Sequence, residues 1–404
     1  MLTCQNQLFE PLPDGVHYLN CSTISLNLKA AVEAGVRGIH LKSAPQHLTG
    51  DDFFTDATET RRLFAQLINC ADPDRIALIP SVSYGTATVA KNLACKPGLR
   101  AGQEIVVVHE EFPSDVLAWE EVCADKGLSL RTVSPPTDFL DRGLSSRGPS
   151  GRGRIWNERL LDAITDATCL VLVPPVHWTD GTRFDLTALR RRTREVGAWL
   201  IVDGAQSLGA LPFDVAAVQP DALLSVGYKY LLGPYGMGLS YWSETFDDGL
   251  PIEANWINRL GSNKFGELTN YGRTYRPKAW RYNAGEHSNF IVLPMLNAAL
   301  RQLLAWEPAR IQTYCGALIA DVIPQLQTLG YAVEDADYRA NHLFGIRPPA
   351  GTDMDVIKQA LVDHGVSVSV RSGSIRISTH VWNTPDDLTA MLDALATVAE
   401  PVRV

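Results

Sequence analysis

The chain has 404 residues, 46% of them hydrophobic and 20% charged, with a formal net charge of -9. That length allows two domains and a sizeable core. The acidic balance excludes a general nucleic-acid surface, which needs clustered lysine and arginine.

The seven cysteines, at 4, 21, 70, 95, 123, 169 and 315, form no CxxC pair and no zinc-type spacing. We therefore expect reduced thiols, a cytoplasmic protein and no metal site. Residues 1–15 carry no basic start followed by an apolar core, so no signal peptide is expected, and no apolar run is long enough to cross a membrane.

In chain order, the short apolar runs 76–80, 104–108, 169–173 and 199–202 read as buried parallel strands. Helical segments separate them, at 85–93 after the first and 114–126 after the second. A third, at 186–196, precedes the fourth strand and carries RRRTRE on its outer face. This alternation predicts an α/β domain around a mainly parallel sheet. The stretch TDFLDRGLSSRGPSGRGRIW reads as a loop by composition, with Arg142, Arg147, Arg152 and Arg154 in it. A solvated insert is its first reading, a basic contact for an acidic substrate its second.

Beyond residue 287 the pattern changes. It reads as a long helix at 288–306 interrupted near Pro294, another helix, a strand near 342–346 and a helix at 353–364. The strand pair VSVSV and SIRIS follows, then a last helix opening at Thr384-Pro385-Asp386-Asp387. We expect a large domain over 16–287 and a smaller α+β domain over 288–404, with 1–15 a candidate to pack against the latter.

The chemistry concentrates in IVDGAQSLGALPFDVAAVQPDALLSVGYKYLLGPYG, from Ile201 to Gly236. A strand ending at Asp203 sets a carboxylate at the carboxyl edge of a parallel sheet, where α/β folds bind ligands. Lys229 follows on a glycine-flanked segment. Pyridoxal phosphate needs such a pair. The amine forms a Schiff base, and the carboxylate keeps the pyridinium nitrogen protonated so that the ring draws electrons. Gln206, one turn past Asp203, is placed for the ring's phenolic oxygen. Taken singly, Asp203 reads first as a helix cap and Lys229 as a surface charge, and only the neighbouring motifs shift the balance.

Together these motifs resemble the class V aminotransferases, the fold-type-I group that includes cysteine desulfurases, kynureninase and isopenicillin N epimerase-like enzymes. The resemblance runs from HYLN at His17 to RISTHVWNTPDDL at Arg376. DGAQ matches the family's strand-end D-x-x-Q, and GYKYLLGPYG its Schiff-base lysine before a Gly-Pro turn. The resemblance implies a fold-type-I α/β large domain with a mainly parallel sheet flanked by helices, and a smaller α+β domain. It also implies pyridoxal 5'-phosphate as cofactor, an amino-acid substrate, and a homodimer with shared sites.

Carried over residue by residue, Lys229 and Asp203 are catalytic. Ser81, Val82 and Ser83 in PSVSYG form the phosphate turn. Phe112 stands where the family often stacks a histidine on the ring. Thr179 in VHWTDG and Gln206 reach the phenolic oxygen. Tyr228 is a phosphate ligand, with Val226 where the family often has a serine. Arg376 in SIRIS grips the substrate carboxylate, with Asn20 also on the substrate and Arg371 as the rival arginine. Glu286, Ser288 and Asn289 in RYNAGEHSNF are implied to reach the neighbouring subunit.

The implied activity is chemistry at the α-carbon of an amino acid through an external aldimine, with Lys229 as general base. Transamination or C–S and other β-elimination follows, and epimerisation is the alternative. A desulfurase that passes sulfur through a cysteine is not expected. HGVSVSVRSGS holds none and none follows Cys315, so a substitute such as Cys21 would be needed. A non-catalytic binding protein on the same scaffold is the alternative of another class. A nucleotide-binding dehydrogenase lacks its GxGxxG after an early strand.

Overall fold

The computed structural model describes residues 2–136, 151–349 and 351–398. After a two-residue strand β1 (His17–Tyr18) come the strands of the central sheet. These are β2 (Ile76–Ile79), β3 (Glu104–Val108), β4 (Ser129–Val133), β5 (Thr168–Val173), β6 (Trp199–Asp203), β7 (Ala222–Val226) and β8 (Gly238–Trp242). Their order across the sheet is β2-β8-β7-β6-β5-β3-β4. Neighbours are parallel except at β8, which runs antiparallel to both β2 and β7.

Alternate residues of these strands divide between two cores, as a sheet covered on both faces requires. Leu78, Val106, Val171, Val202 and Leu223 pack with Phe64, Trp156, Leu189 and Leu296. Their neighbours Ala77, Val107, Leu172, Ile201 and Leu224 pack with Val89, Leu93 and Trp119. Parallel strands β2, β3, β5, β6 and β7 therefore open their carboxyl ends on one edge of the sheet. The segments bearing Ser81, Phe112, Trp178, Asp203 and Lys229 leave from that edge.

A second sheet follows, built from β9 (Ala332–Val333), β10 (Phe344–Arg347), β12 (Ser369–Arg371) and β13 (Ser374–Ile377) in the order β12-β13-β10-β9, antiparallel throughout. The intervening β11 (Val366–Ser367) pairs with β1 instead. The first residues lie on the last ones, since Gln5 N–H donates to the Val381 carbonyl (2.7 Å) and the Phe9 ring meets Trp382 edge-on at 5.0 Å.

The four strands expected from apolar runs stand at β2, β3, β5 and β6 within a residue at each end. Three expectations change. The segment 114–126 is two helices, Ser114–Leu117 and Glu120–Lys126. Pro294 does not interrupt a helix. It lies in the first turn of Val292–Trp306, where a missing N–H costs no hydrogen bond.

The Arg-rich loop ends earlier than composition suggested, because Arg152–Ala163 is a helix. Gly153 lets that helix approach Tyr338, whose Cβ would sit 2.5 Å from a Cβ on the glycine. Arg152 is buried and paired with Asp180 (2.9 Å) and Glu334 (3.4 Å), so its charge is spent inside the protein. Arg142 and Arg147 lie outside the described residues.

One glycine ties the two halves of the site motif together. Gly209 has φ +101°, and a Cβ there would lie 2.1 Å from the Tyr230 carbonyl oxygen. Gly209→Ala combines backbone strain with a clash against main chain, so we expect a loss of roughly 3 kcal/mol or more. Thermal melts would check it; a variant melting within a degree of wild type would refute it.

Candidate active site

β6 delivers Asp203 to the sheet edge, and the turn after it aims the Ala205 N–H at Asp203 Oδ1 (2.8 Å). β7 ends at Val226. Gly227 then passes where any Cβ would come within 2.6 Å of the Met237 carbonyl oxygen. This close crossing leads into Tyr228 and Lys229. The Lys229 ammonium lies 5.6 Å from the centre of the Phe112 ring and 5.8 Å from that of Tyr228. Asp203 and Lys229 are each 8% exposed, so neither is a surface charge. Burial pushes the Lys229 amine down from 10.5 to about 8, against the pull of the Asp203 carboxylate.

Two acids unforeseen from sequence complete this floor. Asp115 is fully buried, takes the Thr86 hydroxyl at Oδ1 (2.9 Å) and hydrogen-bonds Asp203. Burial, then repulsion from Asp203 and Glu111, holds the Asp115 carboxyl well above the carboxylate range. Burial raises Asp203 too, but the Asp115 hydrogen bond, the Ala205 N–H and the Lys229 charge all favour its ionised form. The shared proton therefore sits on Asp115 and the negative charge on Asp203. Glu111, also buried, is pushed up to about 7, by burial first. It caps its own neighbour, accepting the Phe112 N–H (2.8 Å), and leaves Oε2 without a partner.

Val82, Phe112, Asp203, Gln206, Tyr228 and Lys229 line one cavity, as expected, with Glu111 and Trp178 added. The Phe112 ring is 37% exposed and meets Trp178 edge-on at 5.5 Å. Gln206 donates from Nε2 to the Ser22 carbonyl (3.2 Å), while its buried Oε1 has no partner. Ser81 caps the helix Val82–Leu93 by accepting the Tyr84 N–H (3.2 Å), and Ser83 Oγ lies 2.7 Å from Ser114 Oγ.

Thr179, Arg376 and Asn20 are not among the residues lining that cavity. Thr179 is buried with its hydroxyl on His177 Nδ1 (2.9 Å), and His177 Nε2 lies on the His109 carbonyl (3.0 Å). Arg376 enters from β13. Its Nη1 donates to the Trp178 carbonyl (2.8 Å) and its Nη2 to Thr23 Oγ1 (2.9 Å) and Ser369 Oγ (3.1 Å). Its Nε is buried and unpartnered. Asn20 stands one step behind, accepting from those same Thr23 and Ser369 hydroxyls at 2.8 and 2.6 Å. Ser225 Oγ is spent on the Val226 carbonyl (3.4 Å).

In the segment expected at the neighbouring subunit, Asn289 caps Val292–Trp306 through the Ile291 and Val292 N–H groups, and Ser288 bonds the Phe53 carbonyl. Glu286 is exposed in a left-handed conformation, φ 54°. Among the described residues no His, Cys, Asp and Glu cluster is placed to hold a metal.

The residues present fit pyridoxal phosphate. A buried amine and an ionised carboxylate share one cavity with an exposed flat ring. The Gln206 oxygen is buried with nothing to bond. A helix N-terminus opens at Val82.

The family model for class-V aminotransferases matches residues 40–391. An uncharacterized aminotransferase of Bacillus subtilis is 28% identical over 341 residues, covering 83% of this chain and 82% of that protein. Isopenicillin N epimerase of Amycolatopsis lactamdurans is 26% identical over 357 residues, covering 80% and 81%. The solved cysteine desulfurase CsdA of Escherichia coli superposes with a TM-score of 0.79 at 21% identity, over 97% of each chain, and shares the fold.

Proposed function

Since the chain belongs to the class-V aminotransferase family, and so is a pyridoxal-phosphate enzyme, we propose that Lys229 carries the cofactor as a Schiff base. Freed from it, Lys229 removes the α-proton of an amino acid. The observation that carries this reading is the buried Lys229 and Asp203 pair at one cavity beneath Phe112. Bound there, pyridoxal phosphate supplies an electron sink conjugated with the substrate's α-carbon.

The chain's own groups do the rest. Asp203, kept ionised by the proton on Asp115, offers a negative charge to the ring nitrogen. Gln206 has Oε1 and one amide N–H left for the phenolic oxygen. The first N–H groups of Val82–Leu93, with Ser83 and Tyr228, suit the phosphate. Phe112 gives the ring a flat apolar face and keeps water off it. Arg376, with Nε unpartnered, binds the substrate carboxylate. Asn20 holds the hydroxyls that orient that arginine, and Thr179 orients His177.

Lys229, about 8 in its folded setting, is close enough to neutrality to take and return a proton at physiological pH. Epimerisation needs a second donor on the opposite side. Phe112 has no exchangeable proton and the Trp178 N–H is bonded to the Glu110 carbonyl, so Glu111, raised to about 7 with Oε2 unpartnered, is the cavity's candidate for that donor. We place transamination and β-elimination, including C–S cleavage, first, because they ask only for the Lys229 amine at the α-carbon. The likeness to an epimerase keeps epimerisation as the second reading. Cys21 is fully buried and its thiol is held well above its ordinary value, which argues against sulfur passing through it.

The division expected near residue 287 moves towards 318, because Leu293, Leu296, Leu300, Leu303 and Cys315 pack with the large sheet and the core behind the second sheet draws on the chain from Ile319 onward. A homodimer is supported by exposed Ile39, Trp256, Leu260 and Tyr271, and a reducing cytoplasm by seven unpaired cysteines.

The test is one experiment on protein supplied with pyridoxal phosphate: a visible spectrum, then a panel of amino acids with products identified by mass spectrometry. An oxo acid formed in step with loss of the visible band means transamination. Pyruvate with free ammonia means elimination, and inverted stereochemistry alone means epimerisation. A spectrum identical to that of free cofactor would sink the proposal.

A further inference from the structure

We propose that the substrate carries a second acid group on its side chain, held by Arg371 while Arg376 holds the α-carboxylate. This rests on the reading of Arg376 given above. In the β12–β13 pairing Ser369 lies opposite Arg376 and Arg371 opposite Ser374. Residues two apart on a strand, and residues directly opposite across an antiparallel pair, share a face. Arg371 and Arg376 thus rise from the same side of the sheet.

The Trp178 indole lies against that side, 5.9 Å from each guanidinium carbon, so the two carbons are within about 12 Å of each other. Trp178 also lines the Lys229 cavity, so both guanidiniums lie beside one of its walls.

The charges are unbalanced. Arg376 spends Nη1 and Nη2 on neutral oxygens and keeps a buried Nε without a partner. Arg371 is half-buried and donates from Nη1 to the adjacent Val370 carbonyl (2.8 Å). Among the described residues neither arginine has a carboxylate within ion-pair distance. Two neighbouring guanidiniums repel, and one α-carboxylate neutralises only one of them.

Room for a longer side chain is present. A groove lined by Asn20, Thr23, Lys358, Ser369 and Arg371, with five aliphatic side chains between 361 and 370, lies beside the hydroxyls that hold Arg376. A guanidinium fork binds a carboxylate or sulfinate through two oxygens, which an amide cannot match. The class of substrate is therefore a dicarboxylic amino acid or one with an equivalent side-chain anion.

The test compares pairs that differ only in that anion: aspartate against asparagine and glutamate against glutamine, with the holoenzyme. We expect kcat/KM for the acid to exceed that of the amide at least tenfold, mainly through KM. In Arg371→Met that ratio should fall to within about threefold of unity while the visible absorption of the bound cofactor is retained. Arg371→Lys should recover part of the ratio. A second readout needs no turnover. By calorimetry, glutarate should bind at least tenfold more tightly than butyrate, to protein with or without cofactor, and Arg371→Met should erase the difference.

Equal handling of acid and amide by wild type, or a preference that survives Arg371→Met, overturns the proposal. A wild-type protein without a cofactor band overturns the reading of Lys229 instead, and the glutarate titration then still decides the role of Arg371.

Discussion

Lys229→Ala is expected to cut turnover by at least about a thousandfold and to remove the protein-bound visible band of pyridoxal phosphate. The side chain is assigned two tasks, covalent attachment of the cofactor and proton transfer at the α-carbon. General base catalysis alone is worth about 10²–10⁴. The acid–base state of the amine is testable separately. With a value of about 8, roughly one Lys229 in ten is neutral at pH 7. Labelling of apoprotein by an acylating reagent should therefore speed up about tenfold at this site between pH 7 and 9. Surface lysines should still be climbing above that.

The sign of the stability effect follows from the same shift. The folded value lies below the unfolded one, so stability tied to this group is present above about 10.5 and lost as pH falls through about 8. At pH 7 the buried ammonium is a cost. Lys229→Met, of similar volume, should keep the wild-type melting temperature or exceed it while losing activity. A large drop in melting temperature would show that Lys229 is a structural residue.

Asp203→Asn is the second large effect, a fall in kcat of at least about a hundredfold with a change in amino-acid KM of less than about threefold. An amide can hydrogen-bond the ring nitrogen but cannot hold its positive charge, and preorganised charge at a reacting centre is worth about 10²–10³. Steady-state kinetics with the visible spectrum would decide, and a variant within a few-fold of wild-type kcat would remove Asp203 from the mechanism.

The three acids also give this variant a pH signature. Asp203, Asp115 and Glu111 all have folded values above their unfolded ones. Stability tied to them is complete below about pH 4 and is lost as pH rises through the folded values, that of Glu111 lying at about 7. The melting temperature of wild-type apoprotein should therefore fall between pH 5 and 8, and fall less in Asp203→Asn.

Local motifs made the heart of the site legible. DGAQ and GYK each end a strand in parallel with the other, so reading two strand ends was enough to bring Asp203, Gln206 and Lys229 together. Asp115 was not legible, because an acid in a proline-led turn reads as solvated. Its partners, Thr86 in the helix Val82–Leu93 and Asp203 at the end of β6, are both remote from it in the chain.

Helix Lys29–Leu41 escaped notice for another reason. Its buried face is Ala31, Ala34, Gly35 and Gly38, small residues that leave no periodic run of large apolar side chains. β4 reads as polar because it is an edge strand, buried only at Val133. The strand pair carrying Arg371 and Arg376 was legible in VSVSV and SIRIS, but not that VSVSV divides, with Val366–Ser367 on β1 and only Ser369–Arg371 on β13.

The place of β2 in the central sheet has a consequence for how the chain emerges from the ribosome. β2 lies at the sheet margin and its one neighbour is β8. At about 5–20 residues per second, on the order of 10–30 s of synthesis separate the two. For that interval the four apolar residues Ile76–Ile79 have no strand to pair with, and Val82, which lines the Lys229 cavity just beyond them, cannot dock. The nascent chain thus passes through a long sticky stage in which the lysine side of the pocket is not yet made and the other side is open to misassociation.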